Sequence, residues 1–213
     1  MPLFKHGYDR EYHENIFYRE AEVSQRNRKR LELLRGYVPG GGRLLEVGCG
    51  TGGFLRQAER YFQVEGMDVS QYAVRQANEH FGERVRVGNI EERALERENY
   101  DTVAAFNVLE HLSAPLEAAA RLWAALKDGG WLIGSVPNKQ GIIGRPLTAA
   151  GNFFDRTHVS TLSPSAWLGV FYSCGFREIH FLGEINLGRN LCWYVSGRNW
   201  GKVAFNLMFL CRK

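Results

Sequence analysis

Apolar runs alternate with helix-like segments along most of the chain, a pattern typical of parallel strands joined by crossover helices. Five strands are predicted in this part, in the order RLLEVG, QVEGMDVS, VRVGNI, YDTVAAFNVL and WLIGSVPN. Helices are predicted at GGFLRQAERYF, at SQYAVRQANEHFG with Ser70 as the N-cap, at a polar segment after the third strand, and at PLEAAARLWAALKDGG, closed by Gly129 and Gly130. The pattern therefore predicts an α/β sheet with helices on both faces.

The alternation is interrupted after the fifth strand. Region 138–163 carries glycine and proline among apolar residues and is too long for a simple connection, so we predict a substrate loop there. A helix at SPSAWLGVFYSCGF follows, and then REIHFLGEI and VAFNLMFLCRK, which we interpret as an antiparallel pair because no helix of ordinary length separates them. We predict one domain over 1–213, with an N-terminal helical lid over 1–40. Its doubly wound sheet has seven strands and is mostly parallel, with an antiparallel C-terminal strand.

Composition supports a folded domain without selecting a partner. Of the 213 residues, 45% are hydrophobic and 13% are aromatic, which supplies enough apolar surface for one packed core and excludes a disordered chain. The net charge of +4 arises from 27 basic and 23 acidic residues, a mixture that indicates no particular ligand. The basic run RNRKR at 26–30 is interpreted as the solvated face of a helix, with phosphate or nucleic-acid binding as the alternative.

Targeting and redox signals point to the cytoplasm. The first 20 residues lack a basic segment followed by an apolar run, and no window of about eighteen apolar residues is present that could span a bilayer. Four cysteines lie far apart without a C-x-x-C pair, so neither a disulfide framework nor a zinc knuckle is indicated. We expect a soluble, cytoplasmic protein with reduced thiols and no membrane span.

A glycine turn follows the first strand, in the segment RLLEVGCGTGGF at 43–54. Gly48, Gly50 and Gly53 satisfy the G-x-G-x-x-G pattern of dinucleotide-binding proteins. Glu46, however, precedes this turn at the end of the strand, where its carboxylate would repel a pyrophosphate and attract an organic cation. S-adenosylmethionine is such a cation, because its sulfonium and ammonium charges outweigh its carboxylate and it carries adenosine without phosphate.

The pattern E-x-G-x-G-x-G, formed by Glu46, Gly48, Gly50 and Gly52, resembles the first motif of the class I S-adenosylmethionine-dependent methyltransferases. The resemblance extends from about residue 40 to residue 180. It implies a Rossmann-like fold with S-adenosylmethionine as the cofactor. It also implies that the glycine turn cradles the methionyl part of the cofactor and that Glu46 lies near its amino group.

Two further segments are predicted to hold the adenosine. Asp68 closes the second strand about twenty residues after the glycine turn, where a carboxylate can accept both ribose hydroxyls, and Val69 beside it is placed to pack on the adenine. At the end of the third strand, GNIEE resembles the position at which this family contacts the adenine, through Asn89 and Ile90 with a contribution from Glu91. A purely structural role for Asn89 and Ile90 is an equal alternative.

The segment FNVLEHL after the fourth strand resembles the x-x-LEH segment of small-molecule methyltransferases, including the O-methyltransferases of the ubiquinone pathway. The resemblance places Asn107 beside the methionyl group. The N-P-P-Y and D-P-P-Y signatures of amino-group methylation are absent there, which disfavours adenine, cytosine or protein glutamine as the acceptor.

His111 and His158 are the candidate catalytic residues. An imidazole titrates near neutral pH and can take the proton of a hydroxyl acceptor. His158 lies in a D-x-x-H segment that resembles one whose histidine faces the substrate pocket of this family. Structural alternatives remain for both, because His111 can form a capping pair with Glu110 and His158 can pin its loop together with Asp155.

These residues lead to three functional hypotheses. The first is methyl transfer to an oxygen or nitrogen of a small molecule or glycan-like metabolite by a monomer or homodimer, with neither metal nor nucleic acid involved. The second is an RNA 2′-O-methyltransferase, whose E-x-x-E-H metal motif is matched here by Glu110 and His111 but has Asn107 in place of the first acid, so that His158 and Asp155 would have to complete the site. The third is a non-catalytic, cofactor-binding regulatory subunit.

Overall fold

An eight-stranded sheet organises the part of the chain that the computed structural model describes, which is residues 20–138, 159–160, 162–187, 191–196 and 204–213. The strands are β1 (Gly42–Val47), β2 (Phe62–Asp68), β3 (Val85–Val87), β4 (Tyr100–Phe106), β5 (Leu126–Pro137), β6 (Glu178–Leu187), β7 (Leu191–Val195) and β8 (Asn206–Arg212). The helices are α1 (Glu20–Tyr37), α2 (Leu55–Ala58), α3 (Gln71–Phe81), α4 (Pro115–Ala125) and α5 (Pro164–Cys174).

The strand order is β3-β2-β1-β4-β5-β8-β6-β7. Strands β1 to β5 pair in parallel, whereas β8 runs antiparallel to both β5 and β6. Because β2 lies on one side of β1 and β4 on the other, the order reverses there, and the carboxyl ends of β1 and β4 open into the crevice where doubly wound folds bind ligands. The predicted fold class is confirmed.

The prediction of seven strands is wrong by one. The additional strand, β7, pairs antiparallel with β6 in a hairpin. It spans only five residues, LCWYV, without a clean alternation of polar and apolar positions, so its periodicity was a weak signal. Polar residues and glycine flank it on both sides, at GRN before it and SGRN after it, and these turn residues were the available indication of a hairpin.

Three predicted helices differ from the observed ones. The helix predicted to end at Gly129 and Gly130 ends at Ala125, because the following residues pair with β4 through a register shift, with Leu126 opposite Tyr100 and Trp131 opposite Thr102. The helix after the glycine turn is reduced to Leu55–Ala58, and the polar segment after β3 forms turns. In contrast, Ser70 caps α3 as predicted, since its Oγ accepts a hydrogen bond from Ala73 N at 3.2 Å.

Two apolar layers cover the sheet, one on each face. The layer with α4 and α5 contains Leu122, Trp167 and Phe171, and the layer with α1 and α3 contains Leu34 and Phe81. Successive residues of β1 point alternately to the two layers. Leu44 belongs to the layer with α1, so Glu46, two residues further along β1, faces α1 as well.

One side of helix α1, which carries both polar and apolar residues, is buried against the sheet. Asn27, Arg30, Leu31 and Leu34, at positions i, i+3, i+4 and i+7, are each at most 6% exposed. The interpretation of RNRKR as a solvated face therefore holds for the exposed Arg28 and is wrong for Arg30. With its many charges, α1 is no membrane span, and none of the helices in the described ranges has the length and apolar character that crossing a bilayer requires.

Candidate active site

The glycine turn after β1 leaves an open space beside its backbone. Gly48, Gly50 and Gly52 have φ values of 69°, 53° and 83°, in the left-handed region that favours glycine. A Cβ on Gly48 would lie 2.4 Å from Val108 Cγ2, whereas a Cβ on Gly50 would meet no atom within 4 Å. A ligand can therefore approach the backbone closely at Gly50.

Asp68 connects the end of β2 to this turn. Its Oδ2 accepts a hydrogen bond from Gly50 N at 2.8 Å, and its Oδ1 accepts one from Ser70 N at 2.8 Å. Each oxygen keeps a further lone pair, which is what the predicted contact with two ribose hydroxyls requires. Val69, the next residue, is 44% exposed and presents apolar surface beside the carboxylate.

Glu46 is a buried carboxylate at the carboxyl end of β1. It is 4% exposed, and its Oε2 has no hydrogen-bond partner within the described residues. Burial raises the pKa of Glu46 well above its usual value, the positive charge of Arg30 opposes this, and the negative charge of Asp68 adds to it. An unpaired buried oxygen costs about 1–3 kcal/mol, so a donor with a positive charge would be bound favourably here.

Asn107 follows β4 at the same edge of the sheet. Its φ of 54° lies in the left-handed region, which asparagine tolerates better than most residues. Its backbone N donates to Ser135 O at 2.8 Å, and its side-chain Oδ1 accepts from Ser135 Oγ at 2.9 Å. The side chain is therefore fixed next to the end of β1, as β1 and β4 are neighbours.

Two arginines of α1 reach Glu184 on β6, which the sequence did not indicate as part of the site. Arg26 donates to Glu184 Oε1 from Nε at 3.0 Å and from Nη2 at 2.7 Å, and Arg30 Nε lies 3.4 Å from Oε2. Burial raises the pKa of Glu184, but the charges of Arg30 and Arg26 overcome that effect and lower it to about 2. Arg30 also donates from Nη2 to Ser135 Oγ at 3.2 Å.

The predicted adenine contacts have structural partners. Asn89 Oδ1 accepts from Glu91 N at 3.0 Å, and Ile90 is 2% exposed within the core layer that includes α4 and α5. Glu91 Oε1 accepts hydrogen bonds from Ser113 N and Oγ and from Ala114 N, which ties the segment after β3 to the start of α4. Contact of Asn89 and Ile90 with adenine stays a prediction.

His111 lies in a short 3₁₀ turn, Leu109–His111, directly after β4. Its side chain is 12% exposed, and Nε2 lies 4.0 Å from Oε1 of the buried Glu110. Ser160 N donates to Glu110 O at 2.9 Å, so the end of region 138–163 contacts this turn. Residues 139–158 of this predicted substrate loop lie outside the described residues. His158 and Asp155 lie outside the described residues, and the role of either histidine as a base stays a prediction.

The leading hypothesis includes no metal ion, whereas the RNA hypothesis requires one. Among the described residues, no group of three or more His, Cys, Asp or Glu side chains is arranged to hold a metal ion. Glu110 and His111 are adjacent to each other, as the RNA hypothesis requires, but His158 and Asp155, which would have to complete that site, lie outside the described ranges.

The site and fold together define the class of protein. A doubly wound sheet with a glycine turn after β1, a buried acid before that turn and a second acid at the end of β2 is the arrangement of a class I S-adenosylmethionine-dependent methyltransferase. Residues 17–180 match the family described as methyltransferase domain, and the chain belongs to that family. The predicted class and the predicted cofactor, S-adenosylmethionine, are confirmed.

Curated relatives resemble part of the chain. It is 34% identical over 120 residues to ubiquinone biosynthesis O-methyltransferase from Nitrosospira multiformis, and that match covers 50% of each protein. The corresponding enzyme from Bordetella bronchiseptica is 36% identical over 107 residues, or 46% of this chain and 44% of that protein. The chain thus spans about half the length of the curated relatives it matches.

Solved structures agree with the fold over a longer range. A methyltransferase from Thermotoga maritima, described as a possible histamine N-methyltransferase, has a TM-score of 0.71 at 18% identity and covers 90% of this chain and 91% of its own. Phosphoethanolamine N-methyltransferase 2 from Haemonchus contortus, solved with S-adenosyl-L-methionine, has a TM-score of 0.62 at 24% identity, covering 72% of this chain and 38% of its own. At these identities the likeness concerns the fold.

Proposed function

We propose that this chain transfers the methyl group of S-adenosylmethionine to an oxygen or nitrogen of a small molecule or glycan-like metabolite. The observation that carries the proposal is the buried Glu46 with an unpaired oxygen, next to the open space at Gly50. This pair fits an ammonium group followed by an uncharged nucleoside, and it disfavours a pyrophosphate because two phosphates would face a buried carboxylate.

Each part of the cofactor has residues that would hold it. Glu46 would bind the ammonium, and the turn of Gly48, Gly50 and Gly52 would cradle the methionyl chain with Asn107 beside it. Asp68 would bind the ribose. Val69, Asn89 and Ile90 would surround the adenine.

Methyl transfer requires little of the protein beyond positioning of the acceptor and exclusion of water. When bound, the cofactor supplies a methyl group that is activated by its sulfonium. The chain has to orient the acceptor in line with that methyl group and to exclude water. A hydroxyl acceptor also needs a base, for which His111, held beside Glu110, and His158 are the candidates. The O-methyltransferase relatives support an oxygen as the acceptor atom.

Labelled cofactor tests the proposal and its alternatives together. We expect the protein, incubated with methyl-labelled S-adenosylmethionine, to label a component of a small-molecule extract and to leave total RNA unlabelled. The His111→Ala variant separates binding from chemistry, because it should bind the cofactor normally and, if His111 is the base, lose roughly 100-fold or more in rate. Label in RNA would instead support the RNA hypothesis, and cofactor binding without label in either pool would support a regulatory subunit.

Cofactor affinity is expected to rise with pH above the usual pKa of a glutamate, near 4.5. Since Glu46 must be ionised to pair with the ammonium and burial holds its pKa well above the usual value, binding at low pH releases a proton. The affinity then rises by up to about tenfold per pH unit and levels off above the raised pKa. Calorimetry with S-adenosylhomocysteine in buffers of different ionisation enthalpy measures both effects. A constant affinity without proton release would contradict the role of Glu46.

We also propose that the protein is cytoplasmic and is a monomer or homodimer. All four cysteines, Cys49, Cys174, Cys192 and Cys211, are free thiols, which supports a reducing compartment such as the cytoplasm. The small-molecule acceptor and the monomer-or-homodimer state stay predictions, and light scattering of the purified chain tests the latter.

A further inference from the structure

A chain of hydrogen bonds runs from α1 across β5 to the end of β4. Arg30 Nη2 donates to Ser135 Oγ at 3.2 Å, and Ser135 Oγ donates to Asn107 Oδ1 at 2.9 Å. Ser135 is fully buried and Arg30 is 6% exposed, so water does not compete for the bond between them, whereas Asn107 is half-buried. We call Arg30, Ser135 and Asn107 the relay.

The chemistry of the groups gives the relay one direction. A guanidinium can only donate, so Ser135 Oγ is the acceptor towards Arg30. The buried hydroxyl proton needs its own acceptor, and the structure provides Asn107 Oδ1. The Asn107 amide is thereby oriented, with its oxygen towards Ser135 and its Nδ2 on the other side. Within the described residues no hydrogen bond occupies Nδ2.

Arg30 is itself held firmly. Its Nε lies 3.4 Å from Oε2 of the buried Glu184, and its guanidinium lies 4.2 Å from the centre of the Phe106 ring, directly before Asn107 in the chain. A planar guanidinium fixed by a carboxylate and a ring face has little freedom to move its remaining nitrogen. The position of Asn107 is therefore linked to α1 and β6.

We propose that Ser135, itself held by Arg30, is a positioning residue for the cofactor, and that it turns Asn107 Nδ2 towards the methionyl carboxylate of S-adenosylmethionine. The inference rests on the proposed function. If Glu46 receives the ammonium, the neighbouring acceptor on the methionyl part is the carboxylate, and a side chain that presents a donor there complements it. An amide that is not held could present either its oxygen or its nitrogen to the ligand and would lose this discrimination.

A double-mutant cycle tests the relay. Calorimetry with S-adenosylhomocysteine compares wild type, Ser135→Ala, Asn107→Ala and the double variant. We expect each single variant to bind about five- to tenfold more weakly, and the double variant to bind no more weakly than Asn107→Ala, because Ser135 acts through Asn107. Thr102→Val is the matched control, since Thr102 carries a fully buried hydroxyl on β4 outside the relay, and its affinity should equal that of wild type.

Two further measurements separate positioning from a merely structural role. 5′-Methylthioadenosine lacks both the ammonium and the carboxylate, so none of these variants should change its affinity. Asn107→Asp should bind S-adenosylhomocysteine more weakly than Asn107→Ala does, because a carboxylate would then face the ligand's carboxylate. Equal or tighter binding by Asn107→Asp would show that Asn107 presents an acceptor and would overturn the inference.

The remaining outcomes show whether the positioning role alone or also the proposed function is wrong. Additive losses in the cycle, or a matching loss of 5′-methylthioadenosine affinity, would overturn the positioning role while the proposed function stands. Wild-type protein that binds neither ligand would overturn the proposed function and the inference with it.

Discussion

Glu184→Gln is expected to destabilise the fold by about 3–5 kcal/mol, with a melting temperature roughly 6–20 °C lower. Both oxygens of Glu184 accept hydrogen bonds, Oε1 from Arg26 and Asn206 and Oε2 from Arg30. A glutamine at this position would turn an amide group towards an arginine and leave the buried Arg30 charge uncompensated. Urea denaturation followed by circular dichroism measures the change.

The control for this variant lies on the same strand. Glu178 also pairs with a basic side chain, Arg212, but at the surface, so Glu178→Gln should leave the denaturation midpoint nearly unchanged. The sign of the pH dependence follows from the pKa of Glu184, which folding lowers to about 2. The carboxylate stabilises the fold fully above its unfolded pKa, near 4.5, and this stabilisation disappears as pH falls towards 2. A Glu184→Gln protein as stable as wild type at pH 7 would contradict the buried network.

Glu46→Gln is expected to stabilise the ligand-free protein and to weaken cofactor binding. The pKa of Glu46 is raised in the folded state, so ionisation of this carboxylate opposes folding as pH rises above its unfolded value. Removing the charge should gain about 1 kcal/mol at pH 8, or about 2–4 °C in melting temperature. Loss of the charged hydrogen bond to the ammonium should weaken S-adenosylhomocysteine binding by about 2–3 kcal/mol, roughly 30–150-fold.

The two effects of Glu46→Gln have separate controls. Binding of 5′-methylthioadenosine, which has no ammonium, should not change. Glu65→Gln serves as the matched variant, because Glu65 lies on the neighbouring strand β2 but pairs with Arg43 outside the crevice, and its cofactor affinity should equal that of wild type. A Glu46→Gln protein that is less stable at pH 8, or that loses affinity for both ligands equally, would disagree with an ammonium site at Glu46.

Much of the fold could be predicted because its signals are local. The first five strands and the cap at Ser70 follow from apolar runs and turn residues that are close together in the sequence. The start of β5 could not be predicted in this way, since the segment 126–130 continues a helical pattern and becomes a strand only through pairing with Tyr100 on β4. Strand β7 depends similarly on pairing with β6, which a short apolar run does not reveal.

The residues of the candidate site also fall into those that the sequence could predict and those that it could not. Glu46, Asp68 and the glycine turn lie within a short segment whose spacing carries the information, so they could be predicted. Arg30 and Glu184 are 154 residues apart, and nothing in the spacing connects them. A partial signal existed, because Arg30 shares its helical stripe with the apolar Leu31 and Leu34, and a basic residue on a buried stripe requires a partner.

A crystal structure of the protein grown with both S-adenosylmethionine and NADH tests whether Glu46 marks an ammonium site. We expect electron density for S-adenosylmethionine alone, with the ammonium nitrogen about 2.7–3.2 Å from a carboxylate oxygen of Glu46 and the ribose hydroxyls on Asp68. A pyrophosphate of NADH over the glycine turn, or an ammonium group bound away from Glu46, would contradict the assignment of this site.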